Sequence, residues 1–407
     1  MRDQSGALSV TCGQIQSRPS VRMLIQENYG LLLLALLVFL LNQGLEYVLL
    51  RHAGADYRVL CGWDCGWYTG VVESGYDLQP HAHPRGDAAN WAFFPAFPLA
   101  AEAIGAVANV SAGAALLMTA KLFFLFSIFA FVKFAQVWAP GVPAWLAAAV
   151  VGFQPYAIYG NVGYTESMFL LFTCLAFLAL GKGRFVAAGL FGAVLSAVRP
   201  VGVLFVVPLL IAGLRRLPTS DLDERGRILL GAMLVPVGLS MFMIFLYQHT
   251  GDALAFSHVQ IAWDRIPASP VEHLWQGLWG GDPMPQLWAV MSLVALAMVA
   301  VLFFKREYEL ASFSLVATLV PLSTGLLAMP RYLWWQAPLL LLIAQLLNVH
   351  FASLRWHGRN GDWSRHEQHG TEAHGVELRV WMLLLPLSLW GSVVMTMAWI
   401  NGEWFVV

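Results

Sequence analysis

Charge is what this sequence has least of: Asp, Glu, Lys and Arg make up 12% of its 407 residues, about half the share found in soluble domains. With 58% hydrophobic residues and a mean hydropathy of +0.65, it carries more apolar surface than one water-soluble core needs to enclose. No sign of charge predominates either. The formal net charge is −1, which gives no basic surface for nucleic acid, so whatever binds here is selected locally. Cysteine is also scarce, and the four residues Cys12, Cys61, Cys65 and Cys174 are too few for a disulfide scaffold. A small-residue cleavage site is missing after the first apolar stretch. Gly30 to Leu50, preceded by Arg18 and Arg22, therefore reads as a retained signal anchor rather than a removed leader.

What is present is a series of apolar runs of about 20 residues, each long enough to cross roughly 30 Å of hydrocarbon as a helix. Backbone polar groups in lipid must pair within the segment, which favours helices. The runs predict spans over roughly 30–50, 115–136, 144–160, 165–181, 185–198, 201–214, 228–248, 287–304, 309–327, 332–349 and 380–400. The expected fold is an all-α polytopic membrane protein with about eleven transmembrane helices. Several spans, notably 185–198 and 201–214, are short, as in helices that line a cavity rather than face lipid.

Basic residues cluster at Lys182/Arg184, at Arg215, Arg216, Arg225 and Arg227, at Lys305/Arg306, and at Arg355, Arg359, Arg365 and Arg379. Such clusters stay cytoplasmic, and alternating the spans places all four on one side with a cytoplasmic tail over 1–28. A transmembrane module then covers 29–350, with an outer loop at 51–114 and an outer segment at 249–286; a cytoplasmic loop covers 351–379, and 380–407 holds the last helix and a short C-terminus. The stretch 91–108, beginning WAFFPAFP, would flip the later clusters if it crossed, and its aromatic, proline-rich start suits an interfacial helix. Short loops and no eukaryotic tail signal point to a bacterial cytoplasmic membrane. No sequence repeat marks the inverted halves of many transporters.

Chemistry concentrates in the first outer loop, RVLCGWDCGWYTGVVESGYDLQPHAHPRGDAANWAFFPAFP. Asp64 stands among Trp63, Trp67 and Tyr68, rings that can pack on a sugar or a lipid chain, and a carboxylate so placed can act as a general base. Asp also favours helix N-caps, so a capping role fits the same residue. Glu73 lies about 2.5 turns further on if the segment is helical, on a different face. Glu166, in GYTESMF beside Tyr164, is an acid at the outer mouth of a span; a role in the site and a place in the first turn of a helix capped by Thr165 both fit it and can hold together. Arg199 and Arg331 sit at outer boundaries against the positive-inside trend, which indicates a ligand or a snorkelling side chain. Arg85 and Arg265 are weaker candidates.

His81 and His83, with Asp77 and Asp87 nearby, have a spacing that can hold a divalent cation, but a polar loop tip explains them as well. His357, His366, His369 and His374 fall in the cytoplasmic loop and read as a solvated linker. Cys61 and Cys65 bracket Trp63–Asp64 on the side where disulfides form, although a bridge within one helix is strained. The outer segment 249–286 interleaves tryptophans with Asp252, Asp264, Asp282, His258 and Arg265. It could cover the site, though tryptophans belong at interfaces in any case.

The run GWDCGWY, then ESGY, then NWAFFPAFP resembles the WD–WY–GY–FFPLYP pattern of the PIG-V family, which includes GPI mannosyltransferase 2-like enzymes. YGNVGYTESMF, SAVRPVG and RYLWWQAPLLLL continue the resemblance in the same order. The resemblance implies a GT-C-type fold and an inverting glycosyltransferase on the non-cytoplasmic face. Its donor would be a polyprenyl-phosphate-linked sugar, typically mannose, and its acceptor a lipid or glycan. Asp64 would be the catalytic base; Trp63, Trp67, Tyr68, Glu73, Asn90, Tyr164 and Glu166 would bind substrate; Arg199 and Arg331 would hold the departing phosphate. No cofactor is required, and a divalent cation is optional. The competing readings are a secondary transporter or lipid flippase with Asp64 and Glu166 in a substrate or proton path, and a catalytically silent subunit of an envelope assembly.

Overall fold

The computed structural model describes residues 21–81, 87–356, 363–365, 375–403 and 405. The protein is an all-α polytopic membrane protein. Among the described residues, six helical stretches are long and apolar enough to cross a bilayer: Asn28–Ala53, Ala112–Trp138, Pro200–Thr219, Leu222–Thr250, Pro283–Phe304 and Trp381–Ile400. The first belongs to α1 (Val21–Ala53). A 3-10 turn at Tyr57–Leu60 leads to α2 (Asp64–Ser74), followed by α3 (Ala96–Ala108) and the long α4 (Ala112–Trp138).

Next come α5 (Ala144–Phe153), α6 (Glu166–Gly181) and α7 (Phe185–Val198). The chain then runs through α8 (Val206–Arg216), α9 (Leu222–Leu234) and α10 (Val237–Thr250). The segment after α10 holds α11 (Ala255–His258) and α12 (Pro270–Trp279). After it come α13 (Pro283–Phe304), α14 (Tyr308–Leu322), the single turn α15 (Met329–Leu333), α16 (Ala337–Leu347) and α17 (Trp381–Ile400).

Apart from α3, the short apolar helices and the six long stretches match the expected spans one for one. The short ones are the inner ones. Along α6, α14 and α16 most side chains are buried by other helices, whereas the long stretches Asn28–Ala53, Leu222–Thr250 and Trp381–Ile400 leave most of their side chains outside the protein core. A helix enclosed by protein can stop short of the hydrocarbon thickness because neighbours satisfy its ends. The span expected at 144–160 is such a case: α5 stops at Phe153 ahead of Pro155, and a separate 3-10 turn covers Ala157–Gly160. At 13 residues α3 is about 20 Å long.

Two details show how close packing replaces lost backbone bonds. Gly189 of α7 faces Gly231 of α9 so closely that a Cβ on Gly189 would meet the Gly231 carbonyl oxygen at 2.2 Å, the small-residue contact typical of membrane helices. At the Pro236 break between α9 and α10, the Ser196 hydroxyl donates to the Val235 oxygen at 2.8 Å and accepts from the Leu239 N–H at 3.1 Å. One side chain thereby bridges the interrupted helical bond.

The basic clusters gather at one end of the bundle. Arg215 pairs with Glu309 at 2.7 Å, the Arg216 guanidinium lies against Gly183, and Lys305 reaches Gln345. Arg379 donates to Asn348 at 2.8 Å, and Asn348 donates to the Gly141 carbonyl at 2.9 Å. The segment expected to be a linker over 351–379 carries a small antiparallel sheet of order β2-β1-β3, formed by β1 (His350–Trp356), β2 (Trp363–Arg365) and β3 (Gly375–Arg379). The alternation of apolar and polar residues in VELRV is the period-two signal for β3. Arg359, His357, His366, His369 and His374 lie outside the described residues, as do Cys12 and Arg18.

Candidate active site

The opposite end of the bundle is organised by the first turn of α2. Cys61 and Cys65 are joined by a disulfide, and between them Trp63 takes φ 53, ψ −116. That conformation is costly for a non-glycine residue, of order 1–3 kcal/mol. It starts α2 at Asp64 without any side-chain cap, so Asp64 is released from the capping role. The Asp64 N–H instead donates to the Tyr164 hydroxyl at 3.2 Å. Beneath it Cys65 is fully buried against Gly163, where a Cβ would stand 2.3 Å from the sulfur. The disulfide turn and the turn ahead of α6 are thus fitted to each other.

Four charged side chains from four segments meet here. Arg331, on α15, donates from Nη1 to Asp64 Oδ2 at 2.7 Å and sets Nε 2.7 Å from Glu166 Oε1. Arg199, at the C-terminus of α7, pairs through Nη2 with the same Glu166 oxygen and donates from Nε to the Thr165 hydroxyl at 2.6 Å. Thr165 occupies the N-cap position of α6 but spends its oxygen on Arg199 rather than on the helix. Glu166 is completely buried, and its Oε2 takes no hydrogen bond among the described residues. Two carboxylates thus balance two guanidinium groups, the arrangement that makes charge tolerable in an apolar interior. The Arg331 guanidinium also lies 4.7 Å over the Tyr164 ring.

Asp64, Arg199 and Arg331 face a cavity of about 330 Å³ that is also lined by Tyr68, Phe93, Phe256, Gln260, Trp263, Arg265 and Tyr332. The Tyr332 ring lies 5.3–5.6 Å from the guanidinium carbons of Arg199, Arg265 and Arg331. Trp67 stacks on Phe93 at 5.8 Å and meets Trp263 edge-on at 5.3 Å, supporting the aromatic wall from behind. Asp64 Oδ2 is committed to Arg331; Oδ1 has no hydrogen-bond partner among the described residues. The cavity therefore presents one positioned carboxylate oxygen, arginines and apolar walls, a combination suited to a ligand with a hydroxyl, a phosphate and a greasy part.

Of the residues singled out in the sequence, Asp64, Tyr68, Arg199 and Arg331 line this cavity. Tyr164 and Glu166 sit directly behind it, held against Arg331. Trp63 points away and is 47% exposed. Glu73 is exposed near the far end of α2, as its helical offset predicts. Asn90 is buried as a clip for the loop: its N–H donates to Asp77 Oδ2 at 2.8 Å, its Oδ1 accepts from the Asp77 N–H at 2.9 Å, and its Nδ2 donates to the Gly75 carbonyl at 3.0 Å. None of these last three contacts the cavity, and their nearness to Asp64 in sequence was a poor guide to direction.

His81 approaches Asp77 at 3.6 Å, while His83 and Arg85 lie outside the described residues. Among the described residues, no three His, Cys, Asp or Glu side chains converge as a metal site would require. Gln260 and Phe256 also line the cavity without any local signal in the sequence, whereas Tyr332 stands beside Arg331 in the RYLWWQ run and Arg265, a weaker candidate, is the lone Lys or Arg of a tryptophan-rich segment. A second polar network lies within the bundle. Lys121 donates to Glu46 at 2.7 Å and to Gln43 at 2.5 Å, Gln43 donates to Asn161 at 2.7 Å, and Asn161 donates to Asn42 at 2.7 Å. Charged residues inside apolar runs were the available signal.

No family model and no solved structure matches the chain. GPI alpha-1,6-mannosyltransferase 2 of Cricetulus griseus is 32% identical to it over 166 residues, which cover 38% of this chain. The match spans about a third of that relative's length, 32%.

Proposed function

We propose that the chain is a membrane glycosyltransferase of the GT-C type, similar to the PIG-V family. It moves a sugar, mannose by its partial likeness to a mannosyltransferase, from a polyprenyl phosphate to a hydroxyl of a lipid or glycan acceptor. The observation that carries this reading is Asp64: one carboxylate oxygen is fixed by Arg331, and the other is uncommitted in a cavity with apolar walls. In the proposed step the acceptor oxygen attacks the anomeric carbon while the bond from that carbon to the phosphate oxygen breaks, with inversion. The acceptor proton passes to Asp64 Oδ1, and the electron pair leaves on the polyprenyl phosphate. A phosphate leaving group needs little protonation, so one base is enough.

Arg331 orients the base through its 2.7 Å hydrogen bond. Glu166 and Arg199 hold Arg331 in place, and both arginines stay within reach of charge developing on the phosphate. The gathering of basic clusters at the end of the bundle away from Asp64 supports a site on the non-cytoplasmic face. For a transporter, both acids lie at helix starts and are tied to arginines, rather than standing free in the middle of a span. The two readings separate in proteoliposomes loaded with a polyprenyl-phosphate-linked mannose and a total membrane lipid extract. The proposal expects conversion of the donor to polyprenyl phosphate without any ion gradient. Gradient-dependent movement of intact donor, with no conversion, would reject it.

A further inference from the structure

Among the described residues, the ion pairs leave one cation in the cavity, Arg265, without an acidic partner. Arg199 and Arg331 are neutralised by Glu166 and Asp64. Arg265 lines the same cavity from the outer segment between α10 and α13, and its guanidinium partners are all uncharged: Nη1 donates to the Thr324 hydroxyl at 3.5 Å, and Nη2 donates to the Leu327 carbonyl at 3.3 Å and the Tyr332 hydroxyl at 3.2 Å. No carboxylate lies within ion-pair distance of it among the described residues. The cavity thus carries one positive charge more than its acids balance. The Tyr332 hydroxyl accepts from Arg265, which leaves its own hydrogen free to donate; Ser257 and Gln260 add further polar groups on the same wall.

From this we infer that Arg265, with the Tyr332 hydroxyl, is the binding site for the phosphate of a lipid-linked ligand, a phosphate ester on an apolar chain. This rests on the proposed function and goes beyond it, because it moves the main anion contact from the two membrane-boundary arginines to the outer segment. An uncompensated guanidinium in a half-buried site gains most from a charge-assisted, bidentate partner. The rest of the cavity fits the other half of the ligand. Phe93, Phe256, Pro321 and Leu327 form apolar wall beside Arg265, and Val320, which also lines it, is 45% exposed on the outer part of α14. A chain lying past Val320 would leave the cavity on the side of the bundle that faces lipid, with its phosphate at Arg265.

Binding measured on the full-length protein in nanodiscs tests this without turnover. The probes are farnesyl phosphate, farnesol and inorganic phosphate, added to the wild type, Arg265→Gln, Arg265→Lys and the remote Arg227→Gln. Farnesyl phosphate is expected to bind the wild type and Arg227→Gln alike, to bind Arg265→Gln at least tenfold more weakly, and to recover partly in Arg265→Lys; farnesol should bind weakly to all four. Wild-type affinity of Arg265→Gln for farnesyl phosphate would overturn the inference. So would farnesol binding as tightly as the phosphate, or inorganic phosphate alone binding as tightly as the lipid. Unfolding temperatures of Arg265→Gln and Arg265→Lys identify any loss due to misfolding. The Asp64→Asn protein separates this inference from the parent proposal: it should keep Arg265-dependent binding while losing transfer, and retained transfer would refute only the role of Asp64.

Discussion

Arg331 reaches Asp64 across 267 positions of sequence and holds it through a 2.7 Å hydrogen bond. The contact joins the start of α2 to α15, the single turn ahead of α16, so the carboxylate is placed by the whole bundle rather than by its own loop. It also explains the strained turn at Trp63. The disulfide and the Tyr164 hydroxyl fix the start of α2, Arg331 fixes the carboxylate, and the remaining oxygen faces the cavity.

Glu166 is the keystone of this arrangement because it is buried between two guanidinium groups. Glu166→Gln removes the charge and leaves Arg199 and part of Arg331 uncompensated, a loss of about 3–5 kcal/mol for a broken buried pair. Thermal unfolding in detergent should show it as a clearly lowered midpoint. Adding Arg199→Gln should recover part of the loss, since one orphaned cation goes with it. A double variant no more stable than Glu166→Gln alone would speak against the pairing.

The membrane helices were legible in the sequence because lipid imposes an apolar length that can be read locally. So were Asp64, Glu166, Arg199 and Arg331, as charges at the edges of apolar runs. Their mutual pairing was not legible, since it joins positions as far as 267 apart in the sequence and no local pattern encodes it. Trp63 and Glu73 were grouped with Asp64 by proximity along the chain, but Trp63 precedes α2 in a non-helical, positive-φ conformation and Glu73 lies near the far end of that helix, so neither lines the cavity. The short helices were visible as apolar runs, yet their ends are set by neighbours that supply hydrogen bonds, as Ser196 does for Val235.

The network around Lys121 should be structural and coupled. Glu46 is buried, Lys121 is half-buried, and the two pair at 2.7 Å, so Lys121→Met leaves an unpaired carboxylate inside the bundle, at a cost of about 3–5 kcal/mol. Glu46→Gln combined with Lys121→Met should be milder than Lys121→Met alone, with a coupling of about 0.5–3 kcal/mol. Unfolding midpoints of the three variants give the coupling, and strict additivity would contradict the pair.

The contact between α7 and α9 depends on two glycines. Gly189→Leu would drive a side chain into the Gly231 carbonyl, because even a Cβ would come within 2.2 Å. Overpacking of this kind costs about 1–3 kcal/mol, and the folded yield should fall accordingly. Gly226→Ala, on the exposed side of the same α9 with nothing within 4 Å of its added Cβ, should instead stabilise by roughly 0.5–1 kcal/mol. Equal effects of the two changes would mean that helix propensity, not packing, governs this interface.

The proposed sugar transfer takes Asp64 as its base. Its most direct test is the conversion of polyprenyl-phosphate-linked mannose by Asp64→Asn in proteoliposomes, with unfolding temperature measured on the same preparation. Asn keeps the shape and a hydrogen-bond acceptor for Arg331 but cannot take a proton. The account predicts a fall of roughly 10²–10⁴-fold in turnover, the usual contribution of a general base, while the protein still inserts and folds. Turnover at the wild-type rate in a folded Asp64→Asn protein would contradict it.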